Sequence, residues 1–225
     1  MDQMNIVVGE TSRYKTLKGY CFMSCKTIYV MISSFLSEEE KMIVAAHELG
    51  HARGVPDIYA MEVKTNPISG TLFSPVTCMM NICWGGDSWS EYAQLLINRN
   101  KNLVRGQEGF IPLEEPKYPK NLVLNITRDG QPVKYAAVNI YREEMYKNTV
   151  DVTAFMKKTL GTDGLLSLSP VTLFNGAGGG IGYGVLLIEV VDGESKTYRY
   201  IPVYEVQIAY LKGDTDQYTI EIKCD

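Results

Sequence analysis

The sequence predicts an α+β unit over residues 1–116, a small sheet with two helices, followed by an all-β sandwich over residues 117–225. Three observations carry this expectation. The two stretches with helical periodicity and cap signals both lie before residue 105. Three prolines in eight residues, Pro112, Pro116 and Pro119, mark a stiff extended linker. Everything after it reads as short strands with turn signals about every 8 to 12 residues, the rhythm of an antiparallel sandwich.

In chain order, MNIVVGE, GYCFM and TIYVMISS are rich in β-branched and aromatic residues and are separated by polar or small ones, so each reads as a strand. SEEEKMIVAAHELGHARG follows. Ser37 is a helix N-cap, Glu40 three residues on completes a capping box, and Glu38 to Glu40 suit the positive end of the helix dipole. The spacing predicts a helix from about Glu38 to Arg53, with Gly54 as terminator because glycine accepts the left-handed conformation that reverses a chain. Residues 58 to 86 read as loop, broken by Pro67, Gly70, Pro75 and Gly85-Gly86. DSWSEYAQLLINRNKNLV then reads as a second helix, with Ser88 or Ser90 near its start and Tyr92, Leu95 and Leu96 on its apolar side.

Beyond the linker NLVLNIT, AAVNIYR, GTDGLLSLS, YGVLLIEVV, KTYRYIPVYEVQIAY and QYTIEIKC read as strands, with RDGQPV and DGES as turns. DVTAFMKKTL fits either a strand or a helical turn. NGAGGGIGYG precedes a strand, not a helix, and no Lys-Ser or Lys-Thr follows, so it reads as a mobile hairpin loop and not as a phosphate cradle. Asn125-Ile126-Thr127 matches a glycosylation acceptor but falls mid-strand and is set aside.

The bulk properties exclude some function classes. At 225 residues and 45% hydrophobic composition the chain has material for real cores. With 22 basic and 26 acidic residues, and no run of Lys or Arg along a face, no nucleic-acid partner is expected. The longest apolar runs fall short of the roughly 20 residues a membrane span requires, and the opening MDQMNIVVGE lacks a signal-peptide pattern, so an export signal is expected to have been removed or never present. Five cysteines, Cys21, Cys25, Cys78, Cys83 and Cys224, form no CxxC pair and read as small disulfides or buried thiols.

The chemistry concentrates in HELGHARGVPD, residues 47 to 57, which holds both histidines of the chain. On a helix, residues four apart lie on one face about a turn from each other, so His47 and His51 can grip one ion. A catalytic zinc needs three protein ligands and an open position. Gly54 turns the chain, Pro56 stiffens it, and Asp57 arrives six residues after His51 with a carboxylate able to close the site. Glu48 stands too close to its neighbour to ligate comfortably beside it and points instead toward the fourth position, where it can take a proton from a metal-activated water.

HELGHARGVPD resembles the HExxHxxGxxH/D signature of the metzincin metallopeptidases, in the form whose third ligand is aspartate. Gly54-Val55-Pro56-Asp57-Ile58-Tyr59 is similar to the snapalysin-type and immune-inhibitor-A-type peptidases. The resemblance covers about residues 5 to 105 and implies a zinc endopeptidase: His47, His51 and Asp57 as ligands, Glu48 as general base, and a methionine turn at TCMMNIC with Met80 favoured over Met79. It also implies that substrate lies as an extended strand along an edge strand, GYCFMS, held by main-chain hydrogen bonds.

The chain departs from the family pattern in two places. Only 46 residues precede His47, space for the last three strands of such a domain, so a fragment or a minimal version is expected. Ile82 stands where an astacin-type tyrosine would follow the turn, leaving Tyr59 or Tyr92 to substitute.

The second unit resembles prealbumin-like, carboxypeptidase-regulatory-like and immunoglobulin-like modules. The resemblance implies a role in stabilising, spacing or targeting the first, with a surface or glycan ligand as one form of it, and a secreted or cell-surface location. Two rival readings accompany the peptidase: a non-catalytic secreted or surface binding protein whose zinc is structural, and a zymogen whose removed N-terminus held an inhibitory cysteine.

Overall fold

The computed structural model describes residues 5–11, 19–24, 27–51, 53–81, 86, 88–101, 118–177 and 181–225. The fold is mixed α and β with mostly antiparallel sheets, and no helix among the described residues is long and apolar enough to cross a membrane. The chain divides into two compact units. One comprises Met1–Tyr59 with Val76–Glu115 and the other Ala60–Pro75 with Pro116–Asp225.

In the first unit, strands β1 (Asn5–Thr11), β2 (Gly19–Ser24) and β3 (Thr27–Ser33) form a sheet in the order β1-β3-β2. β1 runs parallel to β3, and β2 runs antiparallel to it. Helix α1 (Glu38–His51) packs against β2 and β3. Its start is the capping box expected from sequence: the Ser37 N–H donates to Glu40 Oε2 at 2.7 Å, and the Glu40 N–H donates back to Ser37 Oγ at 3.3 Å. Its end is a Schellman turn, in which Gly54, at φ 91°, donates to the His51 carbonyl while the Val55 N–H reaches back to the Gly50 carbonyl.

After a single 3₁₀ turn (Ile58–Met61) the chain returns through Met79 and Met80 to helix α2 (Glu91–Asn100). Ser90 caps α2 by accepting the Ala93 N–H. Asn100 at its other end donates to the Arg53 carbonyl at 2.7 Å, fastening α2 to the turn that ends α1.

The second unit is not all-β, contrary to the sequence expectation. Its strands are β4 (Asn121–Arg128), β5 (Gln131–Pro132), β6 (Ala137–Glu144), β7 (Met156–Thr159), β8 (Leu165–Leu168), β9 (Tyr183–Asp192), β10 (Ser195–Pro202) and β11 (Gln217–Cys224). Two helices interrupt them, α3 (Pro170–Phe174) and α4 (Val203–Lys212). One sheet has the order β10-β9-β6-β7. The other has β11-β4-β5, with β8 also on β4.

Nor is the unit wholly antiparallel, since β11 pairs parallel to β4. The run KTYRYIPVYEVQIAY, read as one strand, splits at Pro202. That proline precedes the first helical residue, and Gly213, at φ 117°, closes the helix. The period changes there from two to about 3.6, with Val203, Val206, Gln207 and Ala209 buried. Valine, isoleucine and tyrosine suit either state, so only packing separates them. DVTAFMKKTL resolves as strand β7.

Ala60–Pro75, read from sequence as loop of the first unit, clusters with the second. The reason is burial: Met61 and Val63 are 0% and 1% exposed and join the core cluster that includes Leu122, Ile140, Leu187 and Ile222. The Tyr146 N–H bonds the Ala60 carbonyl, and the Asn148 carbonyl accepts both the Lys64 and the Thr65 N–H. In the glycine-rich stretch a bridge pairs Asn175 with Ile181, and a Cβ on Gly182 would lie 2.6 Å from the Gly176 Cα. Close backbone approach therefore explains glycine at position 182, while 178–180 lie outside the described residues.

Asn125 lies within β4 with its amide on the Glu221 carboxylate. Cys78 and Cys224 are buried free thiols. Cys25, Cys83, Ile82 and most of the proline-marked linker, Pro112 and Pro116 included, lie outside the described residues.

Candidate metal centre

Three side chains from a continuous stretch of eleven residues meet at one point. The ligand atoms of His47, His51 and Asp57 all lie within 4.8 Å of one another. The four-residue offset on α1 sets the two rings edge to face, with centroids 4.8 Å apart. The Schellman turn and Pro56 then bring the chain back, and the Ile58 N–H fixes it by donating to the Met80 carbonyl at 2.9 Å. Asp57 Oδ1 comes to rest 3.2 Å from His47 Nε2 and 3.3 Å from His51 Nε2.

The tautomers follow from the opposite side of each ring. His47 Nδ1 lies 2.8 Å from the Met79 carbonyl oxygen, and His51 Nδ1 lies 2.8 Å from that of Val55. A carbonyl only accepts, so each Nδ1 carries the proton, and in the neutral ring each Nε2 is left as a lone pair. Both lone pairs are aimed at the same carboxylate oxygen. Tyr59, on the 3₁₀ turn, donates its hydroxyl to the other oxygen, Asp57 Oδ2, at 2.8 Å. Two nitrogens and one oxygen thus converge with their outer hydrogen bonds in place, a donor set that could hold a metal ion.

Burial would raise the Asp57 carboxyl, but His47 and His51 rings that take up a second proton, at Nε2, donate to it, and these bonds with that from Tyr59 and the charge of His51 hold it well below the ordinary carboxylate range. Burial likewise opposes charging of His51, yet the hydrogen bond and charge of Asp57 outweigh it and raise the imidazole. The site is drier on one side than the other: the His47 side chain is 5% exposed, that of His51 19%.

Met80, fully buried, lies beneath α1. A Cβ added to Gly50 would stand 2.7 Å from Met80 Sδ and 2.9 Å from the Trp89 ring. Glycine at position 50, between the two histidines, is therefore what lets the methionine and Trp89 pack under the ligand-bearing turn. Gly50→Ala is expected to lower stability by about 1–3 kcal/mol through overpacking, less a gain of up to about 1 kcal/mol from helix propensity. It should also weaken metal binding, because the Met79 carbonyl that orients His47 adjoins the displaced Met80. Thermal unfolding and chelator-competition titration check the two effects, and unchanged metal affinity would show that the packing does not support the site.

The site residues named from sequence all lie among the described residues. His47, His51 and Asp57 are together. Glu48, 7% exposed, follows His47 on α1. Of the two tyrosines left open by the sequence, Tyr59 reaches the site. Tyr92 is 2% exposed in the core, where burial drives its hydroxyl well above the ordinary phenol range.

Sequence reasoning did not reveal the carbonyls of Val55 and Met79. The first was accessible in principle, since the turn ending at Gly54 dictates where Val55 goes. The second depends on a contact across 32 residues. No protein-family model and no curated protein matches the chain.

Proposed function

We propose that the chain is a zinc-dependent endopeptidase of the metzincin type, hydrolysing peptide bonds within extended substrates. The convergence of His47 Nε2, His51 Nε2 and Asp57 Oδ1, with both tautomers set by carbonyls, supports this reading. When bound there, zinc supplies a Lewis acid that polarises a carbonyl and makes water acidic enough to attack near neutral pH. Glu48 serves as the proton carrier, accepting from the attacking water and returning the proton to the leaving amine. Asp57 holds a negative charge against the two imidazoles, and Tyr59 fixes which of its oxygens faces them.

Substrate recognition falls to β2. Among the described residues it is an outer strand of its sheet, antiparallel to β3, so the main-chain groups directed away from β3 can pair with an extended peptide. Main-chain pairing accepts many side chains, consistent with a protease of broad sequence tolerance. The second unit serves as an accessory module of a secreted or surface protein in this reading.

Metal removal tests it. Stripping the full chain with a chelator is expected to abolish cleavage of a mixed peptide library, and one equivalent of Zn²⁺ is expected to restore it. The same metal should raise the unfolding temperature in proportion to RT ln(1 + [Zn²⁺]/Kd). Stabilisation by zinc without any hydrolysis would refute the peptidase and leave a structural metal site in a binding protein.

A further inference from the structure

Arg142, on β6 of the second unit, has two aromatic neighbours and, among the described residues, no ion-pair partner. Its guanidinium carbon lies 3.6 Å from the ring centroid of Phe155 and 3.6 Å from that of Tyr183. Two rings that close to one flat cation cannot share a face, so the guanidinium is stacked between them. Its N–H groups can then reach a partner only through the edge. Among the described residues none of them does: Arg142 makes no side-chain hydrogen bond or ion pair, and its Nε is buried without an acceptor.

Several other charges of this unit are paired. Glu189 accepts from Lys196, Asn139, Tyr141 and Tyr198, and Arg128 and Arg199 meet Asp192 and Glu205. Of the acids nearest in sequence, Glu143 is buried and accepts the Asn148 N–H, Glu144 pairs with Lys147, and Asp151, whose N–H bonds the Arg142 carbonyl, is exposed.

We propose that the edge of Arg142, held between Phe155 and Tyr183, is a recognition site for a peptide carboxylate flanked by apolar side chains. Stacking strips water from both faces and removes the rotamer freedom that an arginine ordinarily loses on binding, so the fork is pre-formed for a coplanar, bidentate acceptor. The loop that leaves Arg142 at Asp151 and returns at Phe155 carries Val152, 75% exposed, and Phe155 itself is 39% exposed. Arginine and aromatic residues around exposed apolar surface are the composition of a binding hot spot. Asp151 and Glu144 nearby oppose a dianion more than a monoanion, which favours carboxylate over phosphate. This site is independent of the peptidase reading, because all its residues belong to the second unit.

The test uses the full chain and the ¹H–¹⁵N resonance of the Arg142 Nε–H as a local reporter. N-acetylphenylalanine, its neutral amide and inorganic phosphate serve as probes. The carboxylate is expected to shift that resonance saturably, with the amide and phosphate at least about tenfold weaker, a difference of about 1.4 kcal/mol. Arg142→Lys, which keeps the charge and loses the fork, should abolish the preference for carboxylate over amide, read from shifts of neighbouring backbone amides. Equal shifts from acid and amide, phosphate binding as tightly as the carboxylate, or no saturable shift by any probe would each overturn the proposal.

Discussion

Glu48→Gln is expected to lower kcat for peptide hydrolysis by about 10²–10⁴-fold while leaving zinc affinity within a factor of a few. Glutamine keeps the size and hydrogen-bonding reach of glutamate but cannot take up a proton at neutral pH. The ligand atoms belong to other residues, so the donor set persists in the variant. A fall in kcat and kcat/KM by the same factor would show that the lost interaction is made in the transition state. Parallel chelator titrations of the two proteins separate this from loss of the ion. Retained hydrolysis with bound zinc would exclude Glu48 as the base, and loss of both together would point to a fold defect.

The largest stability effect is expected at Glu143. This carboxyl sits on β6 at an irregularity in the β6–β9 pairing and is 1% exposed. Oε1 accepts the Asn148 N–H at 3.2 Å, and Oε2 is buried with no partner among the described residues. Gly184 is glycine because a Cβ there would stand 2.8 Å from Met61 Cγ and 3.1 Å from Glu143 Oε2, so nothing else fits between them. Burial raises the carboxyl to about 8 from an ordinary 4.5, opposed by the Asn148 hydrogen bond and reinforced by the charges of Glu144 and Asp151.

The sign is fixed by linkage. Between pH 4.5 and about 8 the folded chain retains a proton that the unfolded chain has released. The contribution of this group is therefore complete below the lower value and is lost as pH rises through the upper one. Glu143→Gln is expected to remove that loss and to exceed the parent in stability by up to about 5 kcal/mol near pH 9. Urea midpoints across the window check it, and parallel pH profiles for the two proteins would show that the carboxyl titrates normally.

Much of the first unit was legible because its signals are local. Ser37 and Glu40 cap within one turn, Gly54 is required by a positive φ, and His47 and His51 share a face by helical spacing alone. The second unit was legible in its strands and not in its helices. Val203, Val206 and Tyr210 satisfy a strand by composition and a helix by spacing, and only the cap at Gly213 hinted at which would form. The strap at 60–75 was misassigned for a related reason. Met61, Val63 and Phe73 are too sparse to reveal a period, and their place is set by a core contributed by residues more than fifty positions away.

By itself, then, the sequence determined the residue types and spacings that can bind a metal, since those depend on backbone geometry over one or two turns. Tertiary structure alone decided that the Met79 carbonyl locks the His47 tautomer, that Met80 and Trp89 fill the space Gly50 leaves open, and that Arg142 stands between two rings. Each of these joins residues distant in the chain through packing, and burial of apolar surface is non-directional, so no local pattern specifies which partners it brings together.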